Sequence, residues 1–216
     1  MLNTTYFILL KPPINKSMTP TYQPAYYPME SGWSVPSREE CRRYWQIYCL
    51  PEHIREHSRL VALVAEHICV LARERGMQVP VEAVVASALL HDLGKFYCIE
   101  YGGSHQQLGA GLVMELTGNP AIAQGVMHHV YWPGAIDIHR YFLPLVIIYS
   151  DKRVKHDQIV TLETRFQDLF ARYGINKRMK GLIYRSWQQA VDIQKQLNKA
   201  LETDLNACAF DSRRMV

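Results

Sequence analysis

Residues 80–95 read PVEAVVASALLHDLGK, and the fold is read outward from them. Pro80 suits the first turn of a helix, where its missing N–H leaves no bond unmade. Val84, Val85, Ala88, Leu89 and Leu90 follow without the alternation of a half-buried strand. Gly94 closes the segment just after His91 and Asp92, so an apolar helix ends on two side chains able to do chemistry.

The flanking segments repeat the helical pattern. Ser37 followed by Glu40 forms a capping box ahead of Cys41, Tyr44, Trp45, Tyr48 and Cys49, and Pro51 ends that helix. Glu52 to Arg75 places Ile54, Leu60, Val61, Val64, Ala65, Ile68 and Leu71 on one broad face, with Gly76 as the cap beyond it. Downstream, Ser104 caps a helix from Gln106 to Leu116, and Pro120 opens another that ends at the His128-His129 pair. The run Leu143 to Tyr149 fits a buried strand or a buried helix by periodicity, and with no second strand candidate to pair with, helix is the expectation. Leu162 to Tyr173 and Lys177 to Leu201 complete an all-α chain without internal repeats.

The 216 residues imply one domain with an elaboration, or two small ones, at roughly 150 residues per domain. A composition of 48% hydrophobic and 20% charged residues excludes collagen-like, disordered and disulfide-scaffold classes. The net charge of +4 permits an anionic ligand, but no dense Lys/Arg patch argues for nucleic acid. Cys41, Cys49, Cys69, Cys98 and Cys208 include no C-x-x-C pair and read as reduced thiols, which implies a cytoplasmic location. Tyr6 to Leu10 is too short for a membrane span of ~20 residues.

Residues 1–37 are Pro-rich and non-periodic, an irregular arm in which Met18 or Met29 is an expected alternative start. A peptide spanning Asn3 to Lys16 in the natural protein would exclude that start. A main domain over 38–175 and a helical extension over 176–216, packed on the same domain, follow.

Chemistry concentrates on His57, His91, Asp92 and Asp151. Singly, each histidine reads as an ordinary core or surface residue. Asp151, however, ends the apolar run Val146 to Ser150, where an ionised carboxylate is costly unless paired, hydrogen bonded or bound to metal. Imidazole and carboxylate together suit divalent Mn, Fe, Co, Ni or Zn, and two His with two Asp leave positions open for water and substrate. A divalent ion acidifies a bound water toward neutral pH, which suits such a set to hydrolysis.

The order His57, then His91-Asp92 followed by Leu93-Gly94-Lys95, then Asp151 resembles the HD-domain superfamily of metal-dependent phosphohydrolases, in the branch often called HDIG. The resemblance covers about Pro51 to Tyr173. It implies an HD-type helical bundle holding one or two divalent ions, with His57, His91, Asp92 and Asp151 as metal ligands. His105 and one or both of His128 and His129, of which His129 better fits the preceding apolar spacing, fall where binuclear members hold a second ion, with Asp92 bridging. Asp92 and Lys95 are the implied catalytic pair. Lys95 is a point-charge phosphate binder, and Lys152, Arg153 and Lys155 form a basic rim beside Asp151. Glu56 and Glu66 are candidate acceptors for a ligand imidazole.

The chain departs from the HD-GYP branch, because Val130-Tyr131 follows the histidine pair and no Gly-Tyr-Pro run is present. The implied substrate is a small phosphorylated molecule, a nucleotide or another phosphate ester or anhydride, selected by loops such as Tyr97 to Gly103 and Tyr131 to Arg140. The alternative is a non-catalytic sensing or partner-binding module that keeps the metal as a clasp, with Lys177 to Lys180, Tyr184 and Trp187 as its surface. Di-iron redox chemistry is the third reading.

Overall fold

The computed structural model describes residues 23–30 and 32–207, which form nine helices and one short hairpin. The expectations placed on Met18 and Cys208 lie outside the described residues. Cys41, Cys49, Cys69 and Cys98 are free thiols.

Each helix begins where side-chain chemistry permits. At α1 (Arg38–Ile47) the Ser37 hydroxyl accepts from the Glu40 amide while the Glu40 carboxylate accepts from Ser37 N–H, which satisfies two orphan donors reciprocally. Pro51 precedes α2 (Glu52–Glu74), and Pro80 precedes α3 (Val81–Leu90). A tight turn over 91–94 then leads into α4 (Lys95–Tyr101). Ser104 and Asn119 cap α5 (His105–Thr117) and α6 (Pro120–His128) through their side-chain oxygens. After α7 (Phe142–Lys152), Thr161 and Asn176 cap α8 (Leu162–Tyr173) and α9 (Lys177–Leu201) in the same way.

Two helices form the centre. Every residue of α7 is buried, as is every residue of α3 except Glu82. A helix enclosed on all sides shows no amphipathic period, which is why the run at 143–149 was ambiguous as sequence. α2 and α6 pack against both. Gly125 permits the close approach of α6, since a Cβ there would lie 2.3 Å from Ser87 Oγ and 2.6 Å from Leu143 Cδ2. Trp45 of α1 buries its ring and donates to the Leu89 carbonyl at the end of α3.

The two terminal regions are tied to this body. In the arm, the Pro24 carbonyl accepts from Tyr141 Oη and the Ala25 carbonyl accepts from Gln124. On α9, Gln189 makes a reciprocal pair with the backbone of Trp132, at 2.8 Å in each direction. Trp187 stacks on Phe166 and meets Phe170 edge-on, so it packs within the fold, while Tyr184 stays exposed.

The all-α class holds, with one correction and one small addition. Of the stretch Tyr97 to Gly103, read as a loop, residues 97–101 belong to α4; Tyr97, Ile99 and Tyr101 point outward, so no core stripe marked the helix. A two-stranded antiparallel hairpin, β1 (Val154–Lys155) with β2 (Gln158–Ile159), turns at His156, whose φ is +55°. Strands of two residues are too short to show alternation. Among the described residues no helix is long and apolar enough to cross a membrane.

Candidate metal centre

The ends of several helices deliver donors to one point. His57 comes from the second turn of α2, and His91 and Asp92 from the turn after α3. His105 is the first residue of α5, His129 caps the end of α6, and Asp151 lies in the last turn of α7. His57, His91, Asp92, His129 and Asp151 are buried, and His105 is half-buried.

The Asp92 carboxylate divides this cluster in two. Its Oδ2 lies 3.3 Å from His91 Nε2 and 3.9 Å from His57 Nε2. Asp151 Oδ1 closes that half, 3.0 Å from His57 Nε2 and 3.8 Å from His91 Nε2. Asp92 Oδ1 faces the other half, 3.5 Å from His105 Nε2 and 3.7 Å from His129 Nε2. Those two imidazole nitrogens are 3.0 Å apart.

Backbone carbonyls set the tautomers. Nδ1 of His91 is 2.7 Å from the Ala88 carbonyl oxygen, and Nδ1 of His129 is 2.7 Å from that of Val126. A carbonyl only accepts, so each neutral ring carries its proton on Nδ1 and turns an Nε2 lone pair into the cluster. Both carbonyls belong to helix C-termini, where intrahelical donors run out. Glu56 and Glu66, expected as candidate acceptors, are engaged elsewhere, by Arg59 and Arg38.

The electrostatics suit cations. Burial alone would raise the Asp92 carboxyl, but His91 and Lys95 beside it hold it well below the usual carboxylate range. Asp151 is likewise held down against burial by Lys152 and His57. Burial pushes His129 down to about 3 and lowers His57 and His105, whereas at His91 burial is outweighed by Asp92 and Asp151, which hold its imidazole above the ordinary value. At neutral pH the two carboxylates and the imidazoles of His57, His105 and His129 therefore offer carboxylate oxygens and uncharged ring nitrogens, the donor set of divalent transition metals. Among the described residues His91 Nε2 and Asp92 Oδ1 are buried with no hydrogen-bond partner, an expensive arrangement that a bound cation relieves. The donor atoms of His57, His91 and Asp92 fall within 4.8 Å of one another, as do those of Asp92, His105 and His129, so each set could hold an ion.

Other sequence candidates fall outside this arrangement. His128 packs edge-on against Trp132, because a step of one residue turns a helix by about 100° and carries it off the face that His129 shares with the cluster. Arg153 is buried, donating to Tyr149 Oη and to the Val160 and Leu205 carbonyls, and Lys155 reaches Asp168. The expected basic rim therefore reduces to Lys152, whose ammonium pairs with Asp151. Lys95 Nζ lies 2.7 Å from Asp92 Oδ2, a partner not anticipated for it.

A cleft of about 760 Å³ opens onto Asp92, Lys95, His105, His129 and Asp151. Its other wall brings in Arg165 of α8 and Arg185 of α9, residues that sequence reasoning passed over. Neither sits in a motif; only the return of α8 and α9 over the cluster brings them there.

A family model described as the HD domain matches residues 54–168, more than half of the 216-residue chain. No curated protein and no solved structure matches it.

Proposed function

This chain belongs to the HD domain family, whose members are in general metal-dependent phosphohydrolases, and we propose that it hydrolyses a small phosphate ester or anhydride at a two-metal centre. The observation that carries this reading is the division of the Asp92 carboxylate, one oxygen toward each group of histidines. His57, His91, Asp92 and Asp151 would hold one ion, and Asp92, His105 and His129 the other. A divalent ion there supplies Lewis acidity, making water nucleophilic near neutral pH and drawing charge from a phosphoryl oxygen.

The residues of the chain do the rest. Asp92 ties the two positions together, and its low pKa keeps both oxygens free of protons. Lys95, at 2.7 Å from Asp92, places a fixed positive charge at the lip of the centre, where charge develops on a transferring phosphoryl group. Lys152 sits on Asp151 on the opposite side. The open cleft suits turnover, whereas a metal held only as a clasp needs no 760 Å³ space beside it. Nucleotides are one branch of the substrate class, and the branch the resemblance implies.

Elemental analysis per chain, run beside a phosphomonoester and phosphodiester assay with added Mn or Co, tests this. Wild type is expected to hold two ions and turn over, and His105→Ala to fall toward one. One ion or none in wild type, unchanged in His105→Ala and without turnover, would return His105 and His129 to a structural role.

A further inference from the structure

The cleft lining is of two kinds. The metal donors stand with the cations Lys95, Lys152, Arg165 and Arg185; Phe166, Leu169, Met179, Leu182 and Ile183 of α8 and α9 make an apolar wall. Leu182 is 42% exposed and Tyr173 46%, so large apolar groups stand open to water at the mouth of a charged site. Among the described residues Arg165 Nε is buried without a hydrogen-bond partner, although the same guanidinium reaches Asp168 at 3.4 Å through a terminal nitrogen. An unused donor of a fixed cation, on a wall beside a metal centre, fits an anionic oxygen.

Away from the metal donors, the lining has cations but few hydrogen-bond acceptors. Among the described residues, Asp92 and Asp151, both metal donors, are the only carboxylates that line the cleft, and no Asn or Gln side chain lines it. Side-chain acceptors for a ribose diol or an exocyclic amine there come down to the hydroxyls of Tyr131, Tyr173 and Ser186. Burying such polar groups without partners costs affinity, whereas burying methylenes gains it.

We propose that the cleft takes an amphipathic phosphate ester, its phosphate held at the metal centre with Arg165 as a positioning donor and its alkyl or aryl group against the apolar wall of α8 and α9. The inference rests on the phosphohydrolase reading of the same site and narrows its substrate.

The test is calorimetric binding of non-hydrolysable n-alkylphosphonates, ethyl to octyl, to the full-length metal-loaded protein, beside a nucleoside phosphonate. The dissociation constant is expected to fall about two- to fourfold with each added methylene. Leu182→Asp, at an exposed position, should flatten that dependence. Arg165→Gln should weaken every phosphonate by roughly tenfold and leave the dependence on chain length in place. No dependence on chain length in wild type, or a nucleoside phosphonate bound more tightly than octylphosphonate, overturns the proposal. Turnover of the matching phosphates is read separately. Chain-length-dependent binding without turnover would sink the hydrolase reading and support the apolar-substrate one.

Discussion

Asp92→Ala is expected to strip both ions from the protein and to lower phosphate-ester turnover by about 10³-fold or more, the scale on which loss of a Lewis acid acts. Each histidine group borders only one oxygen of this carboxylate: His57 and His91 border Oδ2, and His105 and His129 border Oδ1. Removing it leaves neutral imidazoles with Asp151 on one side and imidazoles alone on the other. The helical fold should persist, because Asp92 lies in the turn beyond α3 and not within a helix, and Lys95, its ion-pair partner, is 38% exposed and can turn to water. Asp92→Asn keeps the volume but not the charge, and is expected to lose metal in the same way. Elemental analysis with circular dichroism reads both, and an Asp92→Ala protein that retains two ions and full activity would refute the site.

Gly94→Ala should have the second large effect while changing no metal donor. A Cβ at position 94 would lie 2.8 Å from the backbone nitrogen of Gly109, 2.8 Å from the His105 carbonyl oxygen and 3.2 Å from Leu108 Cβ. Two of those three are backbone atoms of α5, which cannot rotate aside as a side chain can. The methyl group therefore displaces the start of α5, and His105 is its first residue. The expected outcome is metal content falling from two ions toward one, turnover down by at least about tenfold, and stability reduced by about 1–3 kcal/mol from overpacking. Gly111 lies on the same helix with nothing within 4 Å of its added Cβ, so Gly111→Ala should keep both ions and be neutral or slightly stabilising. A Gly94→Ala protein with two ions and wild-type turnover would show that His105 does not depend on this contact.

The glycine after the doublet was read in the sequence as a helix stop, and its closeness to α5 could not be seen there. The same limit recurs through the site. His91 and Asp92 were legible because they end a helix whose Pro start, apolar run and Gly close all lie within sixteen residues. Asp151 was legible because an ionisable group at the end of an apolar run is anomalous wherever that run packs. The apolar spacing before the His128-His129 pair favoured His129 without excluding His128; the burial of α6 against α3 and α7 turns His129 inward and leaves His128 against Trp132.

Local pattern was enough for the all-α class, the cap at Ser37, the long helices read over 52–75, 162–173 and 177–201, and the His57, His91-Asp92, Asp151 order. These rest on periods and caps, which act over one or two turns and are written in neighbouring residues. Tertiary structure decided that Arg153 is buried against Tyr149 and Leu205 while Arg165 reaches the cleft. It also decided that backbone carbonyls and not Glu56 or Glu66 orient the imidazoles, and that an apolar wall lines the same cleft as the metal donors. Such pairings join residues far apart in the chain, and they follow from how whole helices pack, which no local pattern encodes.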